Sequence, residues 1–247
     1  ADAIGAAAGQ LRAATAAGEA LDPESIRWLE QQVGVTIHDG YGLTELGMLV
    51  ANLRGEGARP PAPGSMGYPV PGFAVRLLGD DGAPVAAGEE GQVAVRDDGW
   101  FLSSTYWGRD AEWCARLRDG WWVTEDRARQ DEDGRYWYVG RMDDVIVTAG
   151  YNVGPFEVES VLLEHPAVVD AACVAEPDTR KGNVVGAHVV LAGPEPEGLL
   201  DELRRLVGER VGWHAAPRRL HVHAALPKTE SGKIRRRALR DAAGGAA

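Results

Sequence analysis

Apolar and polar positions along this chain repeat with two different periods, and the places where the period changes divide it. In Asp22-Pro23-Glu24, followed by Ile26, Leu29 and Val33, the spacing is helical. Asp22 is the expected N-cap, Pro23 the first helical residue and Gly34 the stop. A short apolar run, residues 33–37, then leads into a Gly-rich turn from Gly40 to Gly42. Residues 54–72 are rich in Gly and Pro and predict an extended surface loop. Alternation in residues 73–78 and 92–96, with Asp81-Gly82 between them, predicts a strand pair. Residues 121–129 and 135–139, joined across Asp133-Gly134, predict a second pair, so the middle of the chain is β-rich. After about residue 143 the pattern mixes. Residues 155–164 read as a helix stopped by Pro166, 168–175 and 187–191 as strands, and 199–211 as an amphipathic helix. A short strand, 220–223, precedes a Pro-Lys-Thr-Glu-Ser-Gly-Lys loop. That order suits a small α+β domain of about 100 residues.

With 247 residues, 45% of them hydrophobic, the chain can build one large core or two smaller ones. No stretch approaches the roughly 20 apolar residues of a membrane-spanning helix. The Ala/Gly-rich start, residues 1–18, lacks the basic lead and apolar centre of a secretory signal, so a cytoplasmic location is expected. Cys114 and Cys173 are far apart without CxxC spacing, which predicts two thiols in a reducing compartment rather than a disulfide framework or zinc site. The net charge of -11 is concentrated in residues 1–143, which hold 13 basic against 23 acidic residues. An acidic chain is a poor partner for nucleic acid. The basic tail (Lys228, Lys233, Arg235, Arg236, Arg237, Arg240) is the exception, and such a run is usually a solvated helix face. The eight tryptophans, including Trp100, Trp107, Trp121 and Trp122, read as core.

Four segments carry candidate chemistry. Taken alone, Asp39-Gly40-Tyr41-Gly42-Leu43-Thr44-Glu45 reads first as a plain turn or helix cap; functionally, its small residues allow a ligand to approach the backbone, and a carboxylate beside a hydroxyl can hold Mg²⁺. In Trp121-Trp122-Val123-Thr124-Glu125-Asp126, the last Asp either caps a turn or accepts from a ribose diol. The third segment runs from Gly140-Arg141-Met142-Asp143 through Gly150-Tyr151-Asn152-Val153 to Pro155-Phe156-Glu157-Val158-Glu159. The fourth, Pro227-Lys228-Thr229-Glu230-Ser231-Gly232-Lys233, places a lysine in a Gly-containing loop, where it is either a surface charge or a functional cation.

In this order and spacing, the four segments resemble the later core motifs of the adenylate-forming, AMP-binding superfamily, with the third most similar to medium-chain acyl-CoA and aryl-CoA ligases. The resemblance implies an α/β fold. Residues 1–142 would be the end of a large AMP-binding domain with a β-rich, barrel-like subdomain, and residues 143–247 a small mobile α+β lid turning about Asp143. It implies an ATP-dependent acid–thiol ligase that activates a carboxylic acid as acyl-AMP and passes it to CoA, with Mg²⁺ as cofactor. Gly18 and Glu19 would line the adenine pocket opposite Asp39, Gly40 and Tyr41. Thr44 would contact phosphate and Glu45 would ligate Mg²⁺. Asp126 would bind the ribose hydroxyls, Arg141 would support the ribose or phosphate, and Lys233 would be the catalytic lysine of adenylation. Ala149, Gly150, Tyr151 and Asn152 would line the CoA channel. Three departures accompany it. The family's Ser/Thr/Gly-rich phosphate loop has no counterpart here, so the chain by itself is expected to be inactive. Glu125 stands where Gly is usual, and Asn152 where Arg is common. A domain loading a carrier protein, and a non-catalytic nucleotide-binding or interaction module, are the alternatives. The sequence leaves the acid and the oligomeric state open, a homo-oligomer included.

Overall fold

The computed structural model describes residues 11–19, 21–55, 57–99, 101, 103–230 and 232–244. Trp100 and Ser231, both singled out in the sequence, lie outside the described residues. The chain divides into two compact units, Ala1–Val139 and Gly140–Ala247.

The first unit is built on one mixed sheet. Its elements are β1 (Ala14–Ala17), α1 (Pro23–Val33), β2 (Ile37–Leu43), β3 (Gly47–Ala51), β4 (Ser65–Pro69), β5 (Val75–Leu78), β6 (Glu90–Arg96), α2 (Asp110–Ala115), β7 (Leu117–Arg118), β8 (Trp121–Gln130) and β9 (Tyr136–Arg141). The strand order is β1-β2-β3-β4-β9-β8-β6-β5, with β7 paired to β8. Helix α1 is bounded as its sequence predicts: Asp22 accepts from the Ser25 amide at 2.8 Å, and Gly34 closes the helix in the left-handed region.

Three expectations change. Gly40 and Gly42 are not a turn but the interior of β2. They are glycines because β3 lies close: a Cβ on Gly42 would come within 2.9 Å of the Met48 Cα, and one on Gly40 within 3.2 Å of the Val50 carbonyl. The expected loop over 54–72 contains β4, whose Gly67, at φ 92°, leaves room for the Ala51 backbone. Lastly, β4 joins β3 to β9, so the two expected hairpins extend one continuous sheet ending in β1 and β5. The barrel-like subdomain is therefore not a closed barrel.

The core of this unit gathers Leu46, Leu49, Val50, Val93, Val95, Trp113, Trp122 and Tyr136. Trp113 and Trp122 are core residues as predicted, while Trp107 stands fully in solvent.

The second unit has a hairpin, β10 (Ile146–Thr148) and β11 (Tyr151–Val153), and a three-stranded sheet, β12 (Val168–Asp178), β13 (Gly182–Leu191) and β14 (Arg219–His223). Its helices are α3 (Pro155–Leu162), α4 (Leu199–Arg210) and α5 (Arg236–Gly244). Alternation along β12 and β13 sends Ala171, Cys173, Val185, Ala187 and Val189 to one face, where they pack with Val158, Leu162, Leu203 and Val207 of α3 and α4. Ala172 and Val174 face the other way and meet Leu226 and Leu239. The basic tail is only partly a solvated face. Arg236 reaches in to Glu159, which it holds through both carboxylate oxygens at 2.7 and 2.9 Å, and Arg240 reaches Asp144 at 2.7 Å. Among the described residues, no helix is long and apolar enough to cross a membrane.

Candidate nucleotide site and lysine loop

Strand β1 runs parallel to β2, with Ala17 opposite Gly40. Gly18 and Glu19, which follow β1, therefore lie beside the Tyr41-Gly42 stretch at the carboxyl end of the pair. In open α/β sheets that is where ligands bind. Gly18 has φ 103° with open space where a side chain would stand, which lets the chain turn there.

Asp39 is buried behind this edge. Its Oδ1 accepts from the Gly40 amide at 2.8 Å, and its carbonyl accepts from both the Asn52 amide and the Asn52 side chain. Burial pushes its pKa up to about 6, against the pull of the Gly40 and Leu21 amides. Asn52 in turn donates to the Ser65 carbonyl at 2.6 Å, tying β2 to β4.

Asp126, buried in β8, collects two phenols. Tyr41 donates to its Oδ2 at 2.7 Å and Tyr138 to its Oδ1 at 3.3 Å. Burial, and then the Asp126 charge, raise the Tyr41 pKa well above its ordinary value, so the phenol keeps its proton and remains a donor. The neighbouring Glu125 is exposed and paired with Arg116 at 2.7 Å. The carboxylate that stands where Gly is usual is thus held by its own arginine.

Thr44 is exposed in the turn between β2 and β3, and Glu45 beside it is half-buried. The Tyr106 hydroxyl donates to Glu45 Oε1 at 2.7 Å, and the Tyr106 ring packs edge-on against Trp113 with centroids 5.4 Å apart. Burial and the hydrogen bond to Glu45 push the Tyr106 pKa up to about 12. Tyr106 and Tyr138 are missed by sequence reasoning, since a tyrosine 12 or 61 positions from its partner leaves no local pattern.

In the second unit Arg141 donates to Asp143 at 3.0 Å; burial pushes the Asp143 carboxyl up, but Arg141 outweighs it and the net shift is downward. Ala149 and Gly150, both at positive φ, form the two-residue turn of the β10–β11 hairpin. Tyr151 is exposed and stacks on His214 with centroids 4.7 Å apart, and Asn152 is exposed beside it.

Lys233 sits in a tight loop. Its carbonyl accepts from the Thr229 amide at 2.8 Å, its amide donates to Thr229 Oγ1 at 3.0 Å, and Gly232 takes φ 93°. Lys228 and Ile234 close the loop as an isolated bridge. Its backbone is thereby fixed while the Lys233 side chain is exposed.

The family described as AMP-binding enzyme matches residues 2–107, and that described as AMP-binding enzyme C-terminal domain matches residues 157–233. The mitochondrial acyl-coenzyme A synthetase ACSM4 of Mus musculus is 41% identical over 239 residues, covering 94% of this chain and 41% of that protein. The anthranilate CoA ligase AuaEII, solved with anthranoyl-AMP, superposes with a TM-score of 0.88 at 33% identity, over 98% of this chain and 48% of that one. ATP-bound MatB from Rhodopseudomonas palustris superposes with a TM-score of 0.84 at 26% identity, over 95% and 46%. The chain spans less than half the length of each.

Proposed function

We propose, from the premise that this chain belongs to the AMP-binding, adenylate-forming enzymes, that it supplies part of the nucleotide site and the catalytic lysine of an AMP-forming acid–thiol ligase. The observation that carries this reading is the buried Asp126 with Tyr41 and Tyr138 on its oxygens, close in the fold to the β1–β2 edge. A carboxylate offers about four acceptor positions, which suits the two hydroxyls of a ribose. Gly18, Glu19, Asp39, Gly40 and Tyr41 would form the adenine edge.

Mg²⁺ fits the oxygen donors at Thr44 and Glu45, because Tyr106 holds one carboxylate oxygen and leaves the other to face a hard cation. When bound, the ion neutralises phosphate charge. Arg141 would support the ribose or phosphate, with Asp143 next to it as the hinge. In the reaction, attack of a carboxylate on the α-phosphorus places negative charge on phosphate oxygens, and the Lys233 ammonium would stabilise it. A donor of this kind is worth roughly 10²–10³ in rate. The loop around Thr229 fixes the lysine's backbone and so aims that charge. Thiolation by CoA would use the turn at Ala149 and Gly150 with Tyr151 and Asn152.

The test is acid-dependent formation of AMP and acyl-CoA by the full-length polypeptide that contains this chain, with fatty and aromatic acids and CoA. AMP formation with at least one acid, and consumption of free CoA, are expected. Absence of AMP formation with every acid overturns the reading, and AMP formation that needs a carrier protein instead of CoA overturns the choice of thiol. The 247-residue chain alone is expected to show no ATP–pyrophosphate exchange, since its sequence holds no Ser/Thr/Gly-rich phosphate loop.

A further inference from the structure

The sheet of the second unit carries a cluster that plays no part in nucleotide or thiol chemistry. Parallel pairing of β13 with β14 sets His188 beside His221, and Val190 beside His223. From β12, Glu176 reaches across Gly186, where any Cβ would overlap its carboxylate. The absence of a side chain at Gly186 is what lets the carboxylate approach the histidines.

One ligand atom from each of Glu176, His188 and His221 lies within 4.8 Å of the other two. Glu176 Oε1 is 2.8 Å from His221 Nε2 and 3.4 Å from His188 Nε2. Despite this proximity the three atoms are buried without a hydrogen bond. Both histidine–carboxylate contacts lie in ion-pair range, yet neither meets hydrogen-bond geometry. The other polar atoms of Glu176 and His188 are engaged. Arg219 donates to Glu176 Oε2 at 3.0 Å, and His188 Nδ1 pairs with His223 Nε2 at 2.9 Å. The Glu176 and His188 side chains are 1% and 3% exposed.

We propose that Glu176, His188 and His221 bind one divalent transition-metal ion, with zinc the best match. Zinc bonds of about 2.0–2.1 Å in a tetrahedron set ligand atoms roughly 3.3 Å apart, close to the separations seen. Two imidazoles and one carboxylate oxygen suit zinc or its neighbours in the first transition row over magnesium or calcium. In the tautomer in which His188 Nδ1 donates to His223 Nε2, His188 Nε2 carries the lone pair, and Arg219 keeps Glu176 monodentate. The His188 and His221 rings are stacked, with centroids 4.5 Å apart and planes 16° apart, so both lone pairs cannot meet one ion without a rotation. His221, whose side chain is 38% exposed, is free enough to turn on loading.

The experiment is titration of the tag-free 247-residue chain at neutral pH with Zn²⁺ against a chromophoric chelator, and with Co²⁺ followed by visible absorption. Expected are one ion per chain and Co²⁺ bands of low coordination number without thiolate charge-transfer absorption. Binding should vanish in His221→Ala and Glu176→Gln, weaken roughly 10–100-fold in His223→Ala, and persist in His214→Ala. His221→Ala removes the most exposed ligand and decides the matter even where Glu176→Gln does not fold. Failure of the unsubstituted chain to retain an ion overturns the proposal. So does unchanged affinity in His221→Ala, or a thiolate spectrum pointing to Cys114 or Cys173.

Discussion

The Asp39 carboxyl is buried behind the β1–β2 edge, and its pKa is raised from 3.8 to about 6. The unfolded chain therefore gives up this proton more readily than the folded one. The folded state gains from the retained proton below pH 3.8 and loses that gain as pH rises through about 6. The full effect is on the order of 2–3 kcal/mol. Asp39→Asn, which keeps the acceptor for Gly40, should flatten the stability change between pH 4 and 7, measured by urea denaturation, and should raise stability at neutral pH. A variant as pH-sensitive as the parent would contradict the assignment. The Glu159 carboxyl is also pushed up by burial, against the pull of Arg236. Glu159 also accepts from the Cys173 amide at 2.7 Å and sits at the start of the second unit's core. Arg236→Met should cost about 3–5 kcal/mol, because it strands a buried carboxylate. A loss under about 1 kcal/mol, the range of surface pairs, would mean that the pair is solvated.

At the scale of elements, the glycines of the first sheet act as spacers. Gly67→Ala would drive a methyl into the Ala51 backbone and strain a residue at φ 92°, so it should unfold the β3–β4 pairing or cost at least about 3 kcal/mol. In the β10–β11 turn the balance is smaller. Ala149 sits at φ 49°, and Ala149→Gly should stabilise the second unit by roughly 1 kcal/mol as judged by its denaturation midpoint. The same residues explain what the sequence reveals. Caps and periodicity placed α1, the β5–β6 pair and the helices α3 and α4 near their true bounds, because those signals are local. Gly40, Gly42 and Gly67 look like turn or loop in sequence because the reason for each, a neighbouring strand, lies up to 16 positions away. Motif order singles out Asp126, Glu45 and Lys233 as candidates, but the contacts that Tyr138, Tyr106 and Arg236 make with Asp126, Glu45 and Glu159 become visible only with the fold.

At the scale of the molecule, each unit has its own core. Of the eight tryptophans, Trp213 alone belongs to the second unit. Tryptophan emission should report unfolding of the first unit, while Trp213→Phe should leave that transition unchanged. Under the proposed function, adenylation would use Lys233 and thiolation the turn at Ala149 and Gly150, so substitution should separate the two half-reactions. The most direct test is Lys233→Ala in the full-length polypeptide, with ATP–pyrophosphate exchange measured beside transfer of a supplied acyl-adenylate to CoA. The account predicts that exchange falls by roughly 10²–10³ while transfer to CoA persists. Exchange at the parental rate would contradict it.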